Sequence, residues 1–466
     1  MISINPTLVP GLKEGKIPAS VLNGILTQHI SMAADWLTQY NYYLGTMDID
    51  DKTRTISSAP NNILVNAFPK YITDINVGYF LGNPITYKAT EDKDADTLQS
   101  IVDKYKMQTI SLEDMKNALY ASQMGLSNEI TYLNESGDVV SRAVNPMQGT
   151  LVVDDTLEAN KLFGLYYIPV YDENGTATHY TYTIVTDTHM LKGDSTDMNH
   201  IEFTSSEPVA HFFGAVPYIE IRNNESYIGD YELVKSLIDA YNTLTSNNVD
   251  DIEQFVDAIL VLKGAELTDE QLKLLREMKA MKLPIDGEAE YLTKQLEATG
   301  LDLGLTRLQK DIHKFSMTPD MTDENFAGNS SGVALEFKLL PFEMNTKNKQ
   351  KYFEKALRER LSLYANLGVV KGDSNTIEPY NIQIQFKRGL PNNLVELATI
   401  VSQLANIAPQ EDLLGLLPFI ENPKEAVDSI KAENKEKQDQ MSESFTNVGN
   451  TEAEDGKSKP KREDTQ

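Results

Sequence analysis

The residues with overt chemical potential are few. Asp154, Asp155 and Glu158 crowd into VVDDTLE, and carboxylates at that density can hold a hard divalent cation. Catalysis needs more than a cage: a Lys or His at suggestive spacing must move a proton or orient a substrate. None accompanies these three, and acidic pairs at strand ends are ordinarily solvated. The six histidines (His29, His179, His189, His200, His211 and His313) are scattered, with no HExxH and no close pair, so catalytic zinc is not expected. The absence of cysteine excludes disulfides and thiolate metal sites, and fits assembly in a reducing cytosol. The expectation is a protein with no cofactor and no enzymatic activity.

A second stretch invites a chemical reading. DMTDENFAGNSSGVALEFKLL, residues 320–340, turns halfway from a polar, glycine-containing loop into a helical pattern. A phosphate cradle would need G-x-x-x-x-G-K-[ST]. Here Gly328 and Gly332 are only four apart, and Val333 and Ala334 stand where Lys and Ser/Thr are required. The P-loop reading fails. No Lys or Arg lies between Lys314 and Lys338, and the loop carries Asp320, Thr322, Asp323, Glu324, Asn325, Ala327, Asn329, Ser330 and Ser331. Phe326 is its large apolar side chain besides Met321, and is expected to pack on the neighbouring helix. Taken alone, this composition is that of any exposed surface loop.

The whole chain sets the bounds. Its 466 residues suggest two to four domains, and no run approaches the ~20 apolar residues of a membrane span. The N-terminus lacks the basic-then-apolar layout of a secretory signal. Sixty-nine acidic against 42 basic residues give a formal charge of −27. A protein that grips nucleic acid non-specifically gains affinity by neutralising phosphates. This one should mostly repel them.

The elements that must position these residues follow from periodicity. A helix is expected over Ala19–Gln39. A second is expected from Ile63 to Phe80, ended by Gly82-Asn83-Pro84 and followed by a strand, ITYKA. Two more fit Thr97–Lys106 and Leu112–Met124. From Asn128 to Ile221 the pattern is of short strands separated by Gly, Asp and Asn turns. From Tyr227 to Leu262 apolar residues recur at three- and four-residue steps with Thr245 and Asn248 in a polar middle. This predicts one helix about 50 Å long. After Gly264 comes a module of roughly forty residues, too small for a comfortable core of its own. Its Leu272, Leu275, Met278 and Leu283 either close that core locally or bury against another copy. A helix over Leu303–Met317 leads to the polar loop. A long helix begins near Val333, with Pro341 expected to kink or break it. IQIQF over 382–386 alternates as a single strand. Helices are expected over Leu394–Ile407 and Gln410–Phe419, and the chain after about Gln440 reads as disordered.

Four blocks carry a resemblance: INVGYFLGNPITY (75–87), VNPMQGTLVVDD (144–155), LQKDIHKFSMTPDMTDENFAGNSSGVALEFKLL (308–340) and IQIQFKRGLPNNLVE (382–396). In order and spacing they resemble the portal proteins of tailed bacteriophages, in the family found in siphophages of Gram-positive bacteria, from about Asn61 to Ala432. The 308–340 block is the specific one. Pro341 departs from the usual pattern, where the helix would continue. The resemblance implies an α+β portal fold with a mixed α/β wing (1–224), a stem helix (225–263), a small α/β clip (264–302) and a second stem helix (303–317). A tunnel loop (318–331), a long kinked helix with a wing strand (332–393), helical crown (394–440) and disordered tail (441–466) would follow.

What the resemblance further implies is a ring, typically dodecameric, at one capsid vertex of the virion, assembled in the host cytoplasm. Double-stranded DNA would pass through it, held weakly and without sequence preference. Residues Asp320, Thr322, Asp323, Glu324, Asn325, Phe326, Ala327, Gly328, Asn329, Ser330 and Ser331 would face the bore. An uncationic loop suits that role, because each phosphate contact must break as DNA advances, and Gly328 and Gly332 permit a changing backbone. Leu272, Leu275, Arg276, Met278, Lys279 and Lys282 would serve the clip, which docks the terminase large subunit and later the head-completion adaptor. Major capsid and scaffold proteins would be further partners, and no membrane is involved. The basic KSKPKRED near the C-terminus reads as a solvated tail or a docking peptide. The alternative is another head or neck protein without a channel role. Two long helices flanking a small insert favour the portal over a strand-dominated tail-tube or baseplate protein.

Overall fold

The computed structural model describes residues 1–54, 59–197, 200–202, 207–256, 259–263, 288–292, 298–322, 332–372, 377–389, 394–405, 407–417, 420 and 423–454. In chain order the helices are α1 (Ala19–Leu44), α2 (Phe68–Leu81), α3 (Ala95–Met107), α4 (Ile110–Met124), α5 (Lys235–Val256), α6 (Ala298–Phe315), α7 (Gly332–Lys371), α8 (Leu394–Leu404), α9 (Gln410–Gly415) and α10 (Pro423–Glu454). The strands are β1 (Ile2–Ile4), β2 (Thr86–Ala89), β3 (Leu126–Leu133), β4 (Val139–Val144), β5 (Gly149–Asp154), β6 (Lys161–Tyr171) and β7 (Ala177–Val185). They continue with β8 (His189–Asp197), β9 (His200–Glu202), β10 (Val209–Ala210), β11 (Tyr218–Arg222), β12 (Ile259–Lys263), β13 (Glu288–Leu292) and β14 (Ile382–Gln385). This mixture bears out the α+β class. The chain divides into two compact units, Met1–Gly389 and Leu390–Gln466.

In the first unit, β1-β5-β6-β7-β8-β10 form one sheet, with β9 beside β8 and β1 parallel to β5. Alternation sends Phe163, Leu165 and Tyr167 of β6 and Tyr182 and Ile184 of β7 to one face, where Leu22, Ile25 and Leu26 of α1 cover them. The opposite face packs on the three-stranded sheet β11-β3-β4, with Tyr218 between them. That approach needs glycine: a Cβ on Gly164 would sit 2.3 Å from the Tyr218 ring. A second core joins α2, α3 and α7 through Phe80, Leu98, Ile101, Tyr105, Phe353, Leu357, Leu361 and Tyr364. β14, expected as a single strand, pairs antiparallel with β2 from nearly 300 residues away, matching Ile384 with Tyr87.

Charge is buried inside this second core. The Arg360 guanidinium lies against Glu129 (Nε to Oε1, 2.7 Å, and a second contact through Nη2) and Asp114 (2.7 Å), under the Tyr105 ring. Burial pushes the Asp114 carboxyl above the usual carboxylate range, against the pull of Arg360.

Four sequence expectations are corrected. The helix expected from Ile63 begins at Phe68 instead. Residues 61–67 run extended along α5, and their backbone N–H groups at Asn62, Leu64 and Asn66 donate to Asp250 Oδ1 (2.7 Å), Ser246 Oγ (3.0 Å) and Asn242 Oδ1 (2.9 Å). Two extended residues advance about 6.6 Å and four helical residues about 6.0 Å, so one polar residue per helical turn matches every second strand N–H. The three acceptors are fully buried. Secondly, the helix expected to reach Leu262 ends at Val256, and Ile259–Lys263 become β12, paired antiparallel with β13. Its β-branched and aliphatic residues satisfy either periodicity, and the partner strand decides. Thirdly, of the kink or break expected at Pro341, it is the break that does not occur, for α7 runs through it as one helix. Pro341 lies on an exposed face, where solvent can satisfy the carbonyl its ring leaves unpaired. Finally, the tail expected to be disordered after Gln440 continues as α10 to Glu454. Residues 455–466, with KSKPKRED, lie outside the described residues. Among the described residues no helix is long and apolar enough to cross a membrane.

In the second unit α8, α9 and α10 follow one another, α8 and α9 separated by Pro409, which precedes the first residue of α9.

Candidate nucleic-acid channel site

The site is built where α6 ends and the polar loop begins. α6 stops at a Schellman turn: Thr318 N–H donates to the His313 carbonyl (3.2 Å) and Met317 N–H to that of Lys314 (3.3 Å). The turn demands a left-handed residue, and Met317 supplies it at φ 55° where glycine is usual. Pro319 follows, so the helix cannot resume.

Asp320 then closes a tight turn. Its Oδ1 accepts from Thr322 N–H (2.9 Å) and the Thr322 hydroxyl (2.6 Å), and its Oδ2 from Gln309 Nε2 (3.0 Å). Burial opposes ionisation, yet the Thr322 hydrogen bonds, nearby His313 and Gln309 together hold the carboxyl below its usual range. The foot of the loop therefore carries a fixed negative charge. His313 lies 3.7 Å from Asp320, its Nδ1 donating to the Thr318 carbonyl (3.1 Å), with its ring edge-on to Phe68 and Tyr71.

α2 holds this foot in place. The Tyr71 hydroxyl donates to the Pro319 carbonyl (3.2 Å) and accepts from Met321 N–H (2.8 Å). Asn76 Nδ2 donates to the Thr318 hydroxyl (2.8 Å), while Asn76 Oδ1 accepts from Lys349 of α7 (2.9 Å). Lys349 pairs with Asp230 at 2.5 Å, and Asp230 also accepts from Ser122 (2.6 Å) and Asn223 (2.8 Å). Further along, Tyr79 donates to Glu343 (2.6 Å), which Arg388 grips through two nitrogens at 3.0 Å. Together these contacts make a polar frame that ties α2 and α7 to the foot of the loop.

Of the residues expected to face a bore, Asp320 and Thr322 are brought together in that turn. Asp323, Glu324, Asn325, Phe326, Ala327, Gly328, Asn329, Ser330 and Ser331 lie outside the described residues. So do Leu272, Leu275, Arg276, Met278, Lys279 and Lys282, although the β12–β13 pair that frames them is described. The sequence reading missed Tyr71, Asn76, Asp230 and Lys349. Their one signal was the position of Asn76 inside INVGYFLGNPITY, a block that meets the 308–340 block at Thr318. The polar middle of α5 was noticed through Thr245 and Asn248, but its buried acceptors are Asn242, Ser246 and Asp250.

The carboxylate set at the end of β5 makes hydrogen bonds to the protein itself. Asp154 accepts from the Thr156 hydroxyl (2.6 Å) and from Asn160 N–H and Nδ2 (both 2.9 Å), contacts that hold its carboxyl below the usual range. Among the described residues no three His, Asp or Glu converge to hold a metal.

The model of the family described as "Phage portal protein, SPP1 Gp6-like" matches residues 24–440. The chain is similar to the portal protein of Bacillus phage SPP1, 24% identical over 465 residues, covering 92% of this chain and 89% of that one. It is likewise similar to the portal protein of Clostridium phage phiCD119, 24% identical over 457 residues, covering 91% and 98%.

Proposed function

Taking as premise that this chain belongs to the SPP1 Gp6-like family of phage portal proteins, and is therefore a capsid component of the virion, we propose how its parts divide the work. Copies of the chain close into a ring, of twelve subunits as the sequence resemblance implies. Residues 225–263 and 303–317, which hold α5 and most of α6, form the stem, 264–302 the clip, 318–331 the loop that lines the bore, and the helices after 394 the crown. Motion of DNA through the ring draws its energy from a separate ATPase, the terminase large subunit, docked on the clip. The head-completion adaptor takes the same surface later. Capsid and scaffold proteins meet the outside, and assembly takes place in the host cytoplasm. The chain itself catalyses nothing.

The observation that carries the bore assignment is the foot of the loop. Asp320 is locked ionised, and no cation occurs between Lys314 and Lys338. A duplex passing such a wall meets repulsion that is nearly uniform along its length, so no position traps it. Had the wall carried lysines, each phosphate contact would add a barrier to the next step.

Deleting residues 325–330 tests this. Rings seen by negative-stain microscopy should keep their size, while DNA packaged or retained per particle falls. If the rings disappear instead, the loop is a packing element and the assignment is wrong.

A further inference from the structure

The chain of hydrogen bonds around Asn76 has a fixed polarity. Lys349 has only donors, so the Asn76 carbonyl oxygen must face it, which turns the Asn76 amide nitrogen toward Ile72 O (2.8 Å) and the Thr318 hydroxyl (2.8 Å). The Thr318 hydroxyl, accepting there, passes its own hydrogen toward the Ser316 carbonyl (3.3 Å). Asn76, Thr318 and Lys349 are all buried, so no water substitutes for a lost partner without rearrangement. One amide on α2 thus touches the first residue of the loop and the helix that follows the loop. Lys349 lies seventeen residues beyond Gly332, roughly 25 Å along α7. A small tilt of α7 about that point moves the far end of the loop by more than it moves the foot.

We propose that Asn76 is the positioning residue of the channel loop: it locks the loop's foot to α7 through Thr318 and Lys349, so that the two flanks of the loop keep one spacing in every subunit. This rests on the assignment of 318–331 to the bore. Such a lock fixes the point at which the chain leaves α6 relative to the helix that receives it after the loop. Tyr71, five residues earlier on α2, hydrogen-bonds to Pro319 and Met321, and so holds the foot without a bond of this kind to α7.

The chain has no cysteine, so Met321→Cys supplies a single thiol for a spin label at the exposed end of the foot. Label-to-label distances are then measured in assembled rings. Asn76→Leu, Thr318→Val and Lys349→Met should each broaden the distance distribution while ring size stays unchanged. DNA packaged per particle should fall roughly three- to tenfold. Thr318→Ser, which keeps the hydroxyl, should restore the sharp distribution. Asn76→Leu combined with Thr318→Val should be no broader than Asn76→Leu alone, since both cut the same link. Distributions superimposable on the parent, even with a lowered thermal midpoint, would overturn the proposal, because Asn76 would then be mere core packing. Independent, additive broadening by Thr318→Val and Lys349→Met would overturn it too. Should Asn76→Leu fail to assemble, Thr318→Val against Thr318→Ser decides alone. If the labelled parent forms no ring, it is the portal assignment of these parts that fails, and the two failures are told apart.

Discussion

Two regions of the first unit bury a charged side chain among several partners, and they do it by opposite means. Around Arg360, one guanidinium faces two carboxylates, and all three are sealed: Arg360 is 1% exposed, Asp114 3% and Glu129 1%. Around Asp250, one carboxylate faces two cations and the N–H groups of Asn62, and only the carboxylate is sealed. The Lys52 and Arg54 side chains keep 11% and 32% of their surface in solvent. The difference lies in where an abandoned partner can go. In the first region it stays buried and unpaired. In the second it swings into water. The Arg360 cluster should therefore govern the stability of the whole unit, and the Asp250 cluster that of one strap, the extended segment 61–67 along α5.

Breaking the first region should have the largest effect. Arg360→Leu leaves Glu129 and Asp114 without their cation and should cost about 3–5 kcal/mol in urea denaturation. Replacing all three together, as Arg360→Leu with Glu129→Gln and Asp114→Asn, should recover much of that loss, since no buried charge remains. If the triple variant is as unstable as the single one, packing and not charge explains the cluster.

The second region should respond locally. Asp250→Ala removes four contacts to the strap and its cations, a loss of about 2 kcal/mol. Amide exchange should show it at Asn62, Leu64 and Asn66, where protection drops by about tenfold or more. Exchange in β5–β7 should hardly change. Uniform loss of protection across the unit would erase the contrast between the two regions.

Acidity sharpens the comparison with the smallest effect. The Asp114 carboxyl is raised by burial above its unfolded value, so its contribution is complete below the unfolded carboxylate pKa of about 3.9 and is lost as pH rises through the folded one. The Asp250 carboxyl runs the other way. Burial works against its ionisation, but the bonds from Lys52, Arg54 and Asn62 hold it far below its usual range. Its contribution is present above the unfolded pKa and disappears only in strong acid. The unfolding free energy from urea denaturation, measured from pH 4 upward, should thus fall with a slope of at most about 1.4 kcal/mol per pH unit from Asp114, and Asp114→Asn should remove that slope. Protection of the strap should persist unchanged across the same range.

The two regions also differ in how legible they were. α1, α3 and α4 follow from periodicity, because each buries one face and that face shows in the spacing of its own residues; the strand-rich stretch from Asn128 to Ile221 follows from short apolar segments between Gly, Asp and Asn turns, although β5 is buried on both faces. The strap did not follow. Ile63, Leu64 and Ala67 recur at helical spacing, yet the segment's hydrogen bonds go to side chains on α5 nearly 180 residues away. Nothing in the local sequence reports an acceptor that distant. Likewise ILVLK suits helix or strand alike, and the β13 partner settles it. At the candidate site, Asp320 and Thr322 declared themselves by composition. Asn76 and Lys349 did not, since one buried amide and one buried lysine look like any others until Thr318 is seen beside them.

The sequence by itself determined the class of the protein, its lack of any thiol, its strongly negative charge and the uncationic character of the loop. These are properties of residue type and order, and they survive any arrangement of the chain. The tertiary structure decided which polar residues are partners: Asp250 with the strap, Arg360 with Asp114 and Glu129, and Asn76 between Thr318 and Lys349. A hydrogen bond depends on distance and direction in space, and separations of a hundred residues or more leave no trace of either in the order of the chain.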